Sequence, residues 1–426
     1  MHITQRAFIR CLKYLVDYAD IVFSFIFGWK LYEPNLEDVL KRLTKQELEL
    51  IREDNFFMIN LQKIFQELPK IRELSLTGRL MLRNNLLAAI KRRCKFDRYV
   101  NEHPEIKKVE IKNPVFIVTL FRTGSTFSHC LLRQDPNWFV TEIWMQQLLC
   151  PSPSNPLSSK DLNKVKECQK KIDSSQALCG WKNIRSMHNL TARDPEDMHF
   201  NISITGVQYW YSTLDGVEDY VNYIHSLPKW RWVEIYKRVK ETLQCSAKDY
   251  QDARPLLMSH IGLNNMEALL EVFPDAQFIT LHRDPVKSLN SAISLISILR
   301  EAWYVYGKQK LDILPEKFFN LYIKELNEYM KLRKRIEDRD CHQRRFVDIK
   351  FKILLEKPIE CMQEVYKKLN MKWSDQVAEK MQYYIKNQRQ HKKATHRFEV
   401  NKDKSKLYYT AFRSYIDKFQ VDCDMK

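Results

Sequence analysis

Between Arg122 and Thr126 the chain reads Arg-Thr-Gly-Ser-Thr, which groups one guanidinium, three hydroxyls and a glycine directly after the apolar stretch Val115-Phe116-Ile117-Val118. Those residue types suit an anionic oxygen. If the run opens a helix, the first helical amides have no intrahelical partner and lie at the positive end of the helix dipole, so the turn can wrap an anion in N–H donors. Gly124 lets the backbone come close or take positive φ. Thr123, Ser125 and Thr126 add hydroxyl donors, and Arg122 supplies a positive fork at the mouth. A plainer account, in which Gly-Ser-Thr turns the chain and caps a helix, fits this stretch taken alone equally well. The loop that binds nucleoside triphosphates needs an earlier glycine and a Gly-Lys-Ser/Thr ending, and neither stands here. The chemistry is that of a phosphate loop built for a ligand other than ATP.

The surrounding elements have to carry these groups to one place. Pro114 precedes the β-branched and aromatic run of a buried strand, and Phe127, Cys130 and Leu131 recur at helical spacing, so the order is strand, tight turn, helix. A second unit begins at Arg254. It reads as a strand running to Met258-Ser259-His260, a helix from Asn265 to Phe273, a strand from Gln277 to Leu281 and a helix through Ser288, Ser291 and Leu295. Such alternation predicts an α/β fold of three layers, a central parallel sheet flanked by helices. Ligands in these sheets bind at the carboxyl ends of the strands, so Arg122, His260 and Arg283 are expected on one rim.

Residues 1–110 read as an N-terminal helical extension packed on the core, and residues 111–426 as the α/β domain. Leu40, Leu43, Leu48 and Ile51 are spaced for one buried helical face, and Ser75 to Arg93 also reads as helix. The apolar stretch Ile21 to Trp29 is too short to span a bilayer and has no signal-peptide pattern. It is expected to dock as an amphipathic helix, with peripheral membrane contact as the alternative. The Pro- and Ser-rich stretch from Cys150 to Ser159 marks a surface connection, and Leu162 to Leu190 reads as mostly helical. Asp194-Pro195-Glu196-Asp197 has the form of a helix start, with a substrate-site role as the alternative. Aromatic residues crowd Val207 to Leu243, which suits packing and would also suit an acceptor pocket.

The formal charge is +17, from 70 Lys and Arg against 53 Asp and Glu. An anionic ligand, nucleic acid or an acidic membrane surface would fit that balance. The basic residues are scattered rather than gathered into an arm, and no aromatic-basic RNA motif or polybasic block appears, so no nucleic-acid partner is expected. Eight glycines and a 44% hydrophobic content exclude collagen and low complexity. Ten cysteines without a Cys-x-x-Cys pair read as reduced thiols of a cytoplasmic protein, with no metal site. The sequons at Asn189 and Asn201 are taken as chance matches.

Three segments in order carry a resemblance. FRTGSTF, then VFPDAQFITLHRDPVKSLNSAISL, then HKKATHRFEV with YYTAFRSYIDKF resemble the sulfotransferases that use 3′-phosphoadenosine-5′-phosphosulfate. The likeness is to the broad bacterial and eukaryotic branch whose loop reads PRSGTT or LRTGTT, and it covers most of the chain. It implies that Arg122, Thr123, Gly124, Ser125, Thr126 and Phe127 hold the 5′-phosphosulfate and that Arg283 and Ser291 hold the 3′-phosphate. A guanidinium plus a hydroxyl is a natural clamp for such a phosphate. The implied reaction is sulfuryl transfer to a hydroxyl or amine of a small-molecule, lipid or carbohydrate acceptor. Arg122 would steady the leaving group, with no metal in the reaction.

The resemblance also points to His260 as the base that takes the acceptor proton, since the family places a catalytic His at this distance before the 3′-phosphate Arg; a His at a strand end can equally be a packing residue. His199, Glu142 and Glu196 are the reserve candidates. This chain departs from the family pattern at Met258, where Lys is usual, at Phe121, where many relatives have Pro, and at Met145, where Glu often follows the Trp matching Trp144. Those departures keep open a weak or inactive nucleotide-binding homologue. A kinase-like phosphotransferase is the other alternative, and it lacks the loop lysine.

Overall fold

The computed structural model describes residues 3–71, 73–148, 157–179, 184–185, 187–248, 250, 252–387 and 398–423. Its centre is a five-stranded parallel sheet made of β1 (Val115–Ile117), β2 (Trp138–Val140), β3 (Arg254–Met258), β4 (Gln277–His282) and β5 (Phe346–Lys350), in the order β2-β3-β1-β4-β5. β1 is the middle strand, with Val115 paired to Leu256 on one side and to Gln277 on the other.

A parallel sheet needs apolar cover on both faces, and strand alternation divides the residues accordingly. Phe116, Val118, Leu257 and Phe278 join one buried cluster, while Val115, Ile117, Leu256, Met258, Ile279 and Leu281 join the other. This double burial explains why the strand sequences run almost continuously apolar. The helices Pro285–Arg300 and Leu314–Arg339 place Val286, Leu289, Phe318 and Tyr322 in the first cluster. The helices Ser125–Leu132, Pro358–Lys368 and Asp375–Asn387 place Leu131, Met362, Val365 and Met381 in the second.

The N-terminal region is helical, as its periodicity predicts: Ile3–Phe27, Leu36–Leu40, Lys45–Glu53, Asn55–Glu67 and Leu76–Glu102. Thr44 and Glu47 close a reciprocal capping box, and the Ser75 hydroxyl caps the last of these helices at the Gly78 amide. Val39, Ile51, Phe57 and Leu61 belong to the same buried cluster as Phe116 and Phe278.

Some sequence expectations are corrected. β2 and β5 are strands that periodicity did not reveal. β2 has only three residues, and β5 alternates buried Val347 and Ile349 with exposed Asp348 over too short a span to stand out. Within Leu162 to Leu190, read as mostly helical, the longest described helix is Ser159–Leu178. Asp194-Pro195 does not start a helix; Pro195 bridges Glu142, Asp197 bridges Met258, and the helix begins at His199. The Asp197 carboxylate takes the His199 amide of its own turn at 2.8 Å and the His260 amide from beside the sheet at 2.7 Å. Most of the Pro- and Ser-rich connection and the segment from His391 to Arg397 lie outside the described residues.

Candidate active site

After β1 the chain runs through Thr119 to the loop. The Thr119 hydroxyl donates to the Leu281 carbonyl at 2.9 Å and lies 2.9 Å from the Thr123 hydroxyl, which contacts the Leu120 carbonyl at 2.9 Å. The loop is thereby tied to the end of β4. Arg122 has φ +66° and Gly124 φ +95°, so two left-handed residues flank Thr123 before the helix Ser125–Leu132 begins. A left-handed arginine costs about 1–2 kcal/mol, so its surroundings must hold it. They do so at both ends of the residue. Its Nε donates to the Ser291 hydroxyl at 3.1 Å and its Nη2 to the Met187 carbonyl at 3.1 Å, while the preceding Phe121 carbonyl accepts from Ser288 at 2.6 Å and Tyr322 at 3.1 Å.

Arg283 follows β4 and reaches back across the loop. Its Nη1 donates to the Arg122 carbonyl at 2.5 Å, its guanidinium lies 4.3 Å from the centre of the Phe351 ring, and its buried Nε has no partner among the described residues. Burial and the Arg283 charge push the Arg122 guanidinium down to about 10, and burial lowers Arg283 as well. Among the described residues the hydrogen bonds of both guanidinia go to carbonyls and a serine, not to carboxylates. Asp284, the acid next in sequence, accepts the amides of Val286 and Lys287 and the Tyr409 hydroxyl. Two half-buried cations are therefore held side by side above the amino end of a helix. Ser291 touches Arg122 and sits one helical turn beyond Ser288, so the loop and the Arg283 helix share one wall.

His260 lies on the same rim. Its Nδ1 is 2.7 Å from the Thr119 carbonyl, which can only accept, so the proton sits on Nδ1 and the lone pair on Nε2. Its amide donates to Asp197 Oδ2 at 2.7 Å, and its ring packs 4.4 Å from Phe121. The three residues expected on one rim are together.

The reserve candidates are committed elsewhere. Glu142 takes Arg133 at 2.5 Å, the Trp144 indole at 2.7 Å and Arg193 at 3.4 Å. Burial raises Glu196, but His188 at 3.3 Å and the Asp197 amide outweigh it and hold the carboxyl down at about 2. The His188 ring nitrogen approaches Glu196 Oε2 without hydrogen-bond geometry, since that oxygen accepts no directed bond among the described residues. His199 stacks on Trp210 at 5.6 Å with its Nδ1 3.6 Å from Asp197.

The departures from the family pattern have visible consequences. Met258 is buried among Ile117, Leu131 and Leu256, so the position adds neither charge nor polarity to the rim. Phe121 makes an aromatic wall, its ring against His260 and stacked at 6.4 Å on Tyr209. Met145 lies in the core beside Trp144. Thr119, Ser288, Tyr322 and Phe351 support the site with no site role read for them from sequence, and Asp197, whose alternative reading is a substrate-site role, joins them through the His260 amide. Each acts through a backbone group or a ring face, which residue type alone does not signal. Behind Tyr209, burial raises the Glu325 carboxyl to about 8. A surface cavity of about 760 Å³ lies elsewhere, and of the three arginines in its wall Arg93 and Arg238 pair with Asp97 and Arg231 with Glu234.

A family model described as the sulfotransferase family matches residues 114–375. Among solved structures, sulfotransferase STF9 of Mycobacterium avium is 19% identical, with 93% of this chain and 99% of that chain covered and a TM-score of 0.72. Sulfotransferase STF1 of Mycobacterium tuberculosis is 19% identical, with 82% and 93% covered and a TM-score of 0.70. Among curated proteins none matches this sequence.

Proposed function

The chain belongs to the sulfotransferase family, and from that premise we propose that it moves a sulfuryl group from 3′-phosphoadenosine-5′-phosphosulfate to a hydroxyl or amine of a small acceptor. The observation that carries the proposal is the pairing of Arg122 and Arg283, two half-buried guanidinia whose hydrogen bonds, among the described residues, reach no carboxylate, at the mouth of a loop that enters a helix. Buried like charges are costly unless an anion joins them. A ligand with two phosphate groups would relieve that cost, one group lying against the loop amides with Arg122 and the other against Arg283 and Ser291. Thr123, Ser125, Thr126 and Phe127 belong to the first of these subsites.

The donor supplies the activated sulfuryl group. In the transfer, the acceptor oxygen or nitrogen forms a bond to sulfur, the bond from sulfur to the bridging phosphate oxygen breaks, and the acceptor proton passes to a base. His260 takes that role because the Thr119 carbonyl holds its proton on Nδ1 and leaves Nε2 to accept. Arg122 and the loop amides steady the charge that grows on the departing bisphosphate. Phe121, Tyr209 and Trp210, close to His260 and His199, favour a lipophilic alcohol or phenol as acceptor over a carbohydrate. Free thiols at the described cysteines suit a cytoplasmic setting.

A second reading, a nucleotide binder with little turnover, is favoured by Met258, whose apolar side chain stands where relatives carry a cation. Calorimetric titration with 3′,5′-bisphosphoadenosine, with ATP as control, tests the donor site shared by both readings. Wild type should bind the bisphosphate in preference to ATP, and Arg283→Ala should weaken it by about 30-fold or more, the effect of removing one partner from a buried charge pair. Absence of binding at millimolar ligand overturns the proposal. Binding without acceptor-dependent bisphosphate release would instead select the second reading.

A further inference from the structure

The helix Ile3–Phe27 presents its apolar residues to the outside and its charged ones to the protein. Lys13, Asp17 and Asp20 are 3%, 4% and 4% exposed, whereas Phe8, Leu15, Tyr18 and Phe25 are 67%, 68%, 67% and 91% exposed. From Ala7 to Trp29, every exposed residue is uncharged. This is the reverse of the usual surface helix, which turns its apolar stripe to the core.

The inward polar contacts fix that setting. Lys13 donates to Asp17 at 2.5 Å and to the Tyr304 carbonyl at 3.2 Å; the Thr77 amide donates to Asp17 at 2.8 Å, and Arg79 to Asp20 at 2.6 Å. Arg10 pairs with Glu301 at 3.1 Å. Rolling the helix to hide its apolar face would break the buried Lys13–Asp17 and Arg79–Asp20 contacts and leave charges unpaired, so the face stays outward. A continuous apolar face of this extent is what a monomer in water avoids.

We propose that this face docks on the surface of an anionic phospholipid bilayer, with the helix lying in the plane of the interface. Charge selects the occupant. Tyr306, packed edge-on against Tyr14 at 5.4 Å, continues the apolar face into a loop that exposes Lys308 and Lys310 beside Leu311. Cations bordering an apolar surface fit anionic headgroups above acyl chains. A second copy would set the same lysines against each other on a chain already carrying +17. Tyr18 and Trp29 have rings suited to the headgroup boundary. No helix among the described residues is long and apolar enough to cross a membrane, so the contact lies along the surface.

The docked face connects to the candidate active site through one element. The helix Pro285–Arg300 carries Ser288 and Ser291 near its start and ends beside Glu301, the partner of Arg10. Ser288 and Ser291 therefore lie about 15–20 Å along that helix from Glu301, ten to thirteen residues at the helical rise.

Vesicle co-sedimentation of the full chain tests the proposal, using phosphatidylcholine vesicles with and without phosphatidylserine. Wild type should pellet with the phosphatidylserine vesicles and be released by salt, and Trp29 should add a blue-shifted emission component that Trp29→Phe removes. The double variant Leu15→Glu, Phe25→Glu alters exposed side chains and should keep its melting temperature while its vesicle partition falls about tenfold or more. Lys308→Glu with Lys310→Glu should reduce the preference for phosphatidylserine and leave the apolar face intact. Wild type remaining in the supernatant with both vesicles overturns the proposal. So does a wild-type dimer that Leu15→Glu, Phe25→Glu converts to monomer, since the face would then belong to a second copy.

Discussion

At the scale of single residues, the same amino-acid types occupy both working and structural positions, and partners tell them apart. His260 and Glu142 were both candidates for the base. Glu142 is surrounded by Arg133, Arg193 and the Trp144 indole, so its lone pairs are spoken for, whereas His260 has one nitrogen fixed by a carbonyl and the other left to accept. His260→Gln should therefore lower acceptor-dependent release of bisphosphate by about 100-fold or more, the usual contribution of a positioned base. Affinity for 3′,5′-bisphosphoadenosine should stay within about twofold, because His260 touches the carbonyl of Thr119 and not the arginine pair. Glu142→Gln should lower the melting temperature instead, since it leaves Arg133 without its carboxylate. A His260→Gln protein with wild-type turnover would remove the histidine from the mechanism.

At the scale of elements, legibility followed the source of each signal. The loop could be read because its chemistry lies in side-chain types, and β1, β3 and β4 because burial on both faces leaves unbroken apolar runs. Asp197 reads as part of a helix start, and its carboxylate does take the His199 amide of that turn; the His260 amide it also takes comes from a strand end 63 residues on, which no local pattern signals. β5 was missed, and with it Phe351, the residue after that strand whose ring lies against Arg283. The same ring and Leu354 crowd Gly124 from behind. An added Cβ there would meet them at 3.0–3.1 Å on a backbone already at φ +95°. Gly124→Ala should cost about 1–2 kcal/mol from the left-handed conformation alone, read as a fall in denaturation midpoint. It should also weaken bisphosphate binding, because relief requires the amino end of the helix to move. If stability drops while binding is unchanged, the loop geometry is not what holds the ligand.

At the scale of the whole molecule, the sequence divides at about residue 110 into a helical leader and an α/β domain, yet the buried side chains do not observe that division. Val39, Phe57, Leu61 and Leu82 pack in one cluster with Phe116, Leu257, Phe278 and Tyr322. The backbones join as well: the Ser75 amide donates to the Trp303 carbonyl at 3.0 Å and the Val305 amide to the Glu73 carbonyl at 3.1 Å. Gly78 sits where the leader helix presses on that same segment, and a Cβ built there would stand 2.0 Å from the Trp303 carbonyl oxygen. No side chain fits without moving one backbone from the other. Alanine normally favours a helix over glycine by about 1 kcal/mol; here Gly78→Ala should destabilise, because the helix must back away from Trp303 and the core it helps close. The signature lies in how the molecule melts. If leader and sheet share one core, calorimetry should show a single transition that falls as a unit in Gly78→Ala and rises as a unit when 3′,5′-bisphosphoadenosine is added, although the ligand would lie far from residue 78. Two transitions, with the ligand raising one and Gly78→Ala lowering the other, would make the leader an independent domain resting on the sheet.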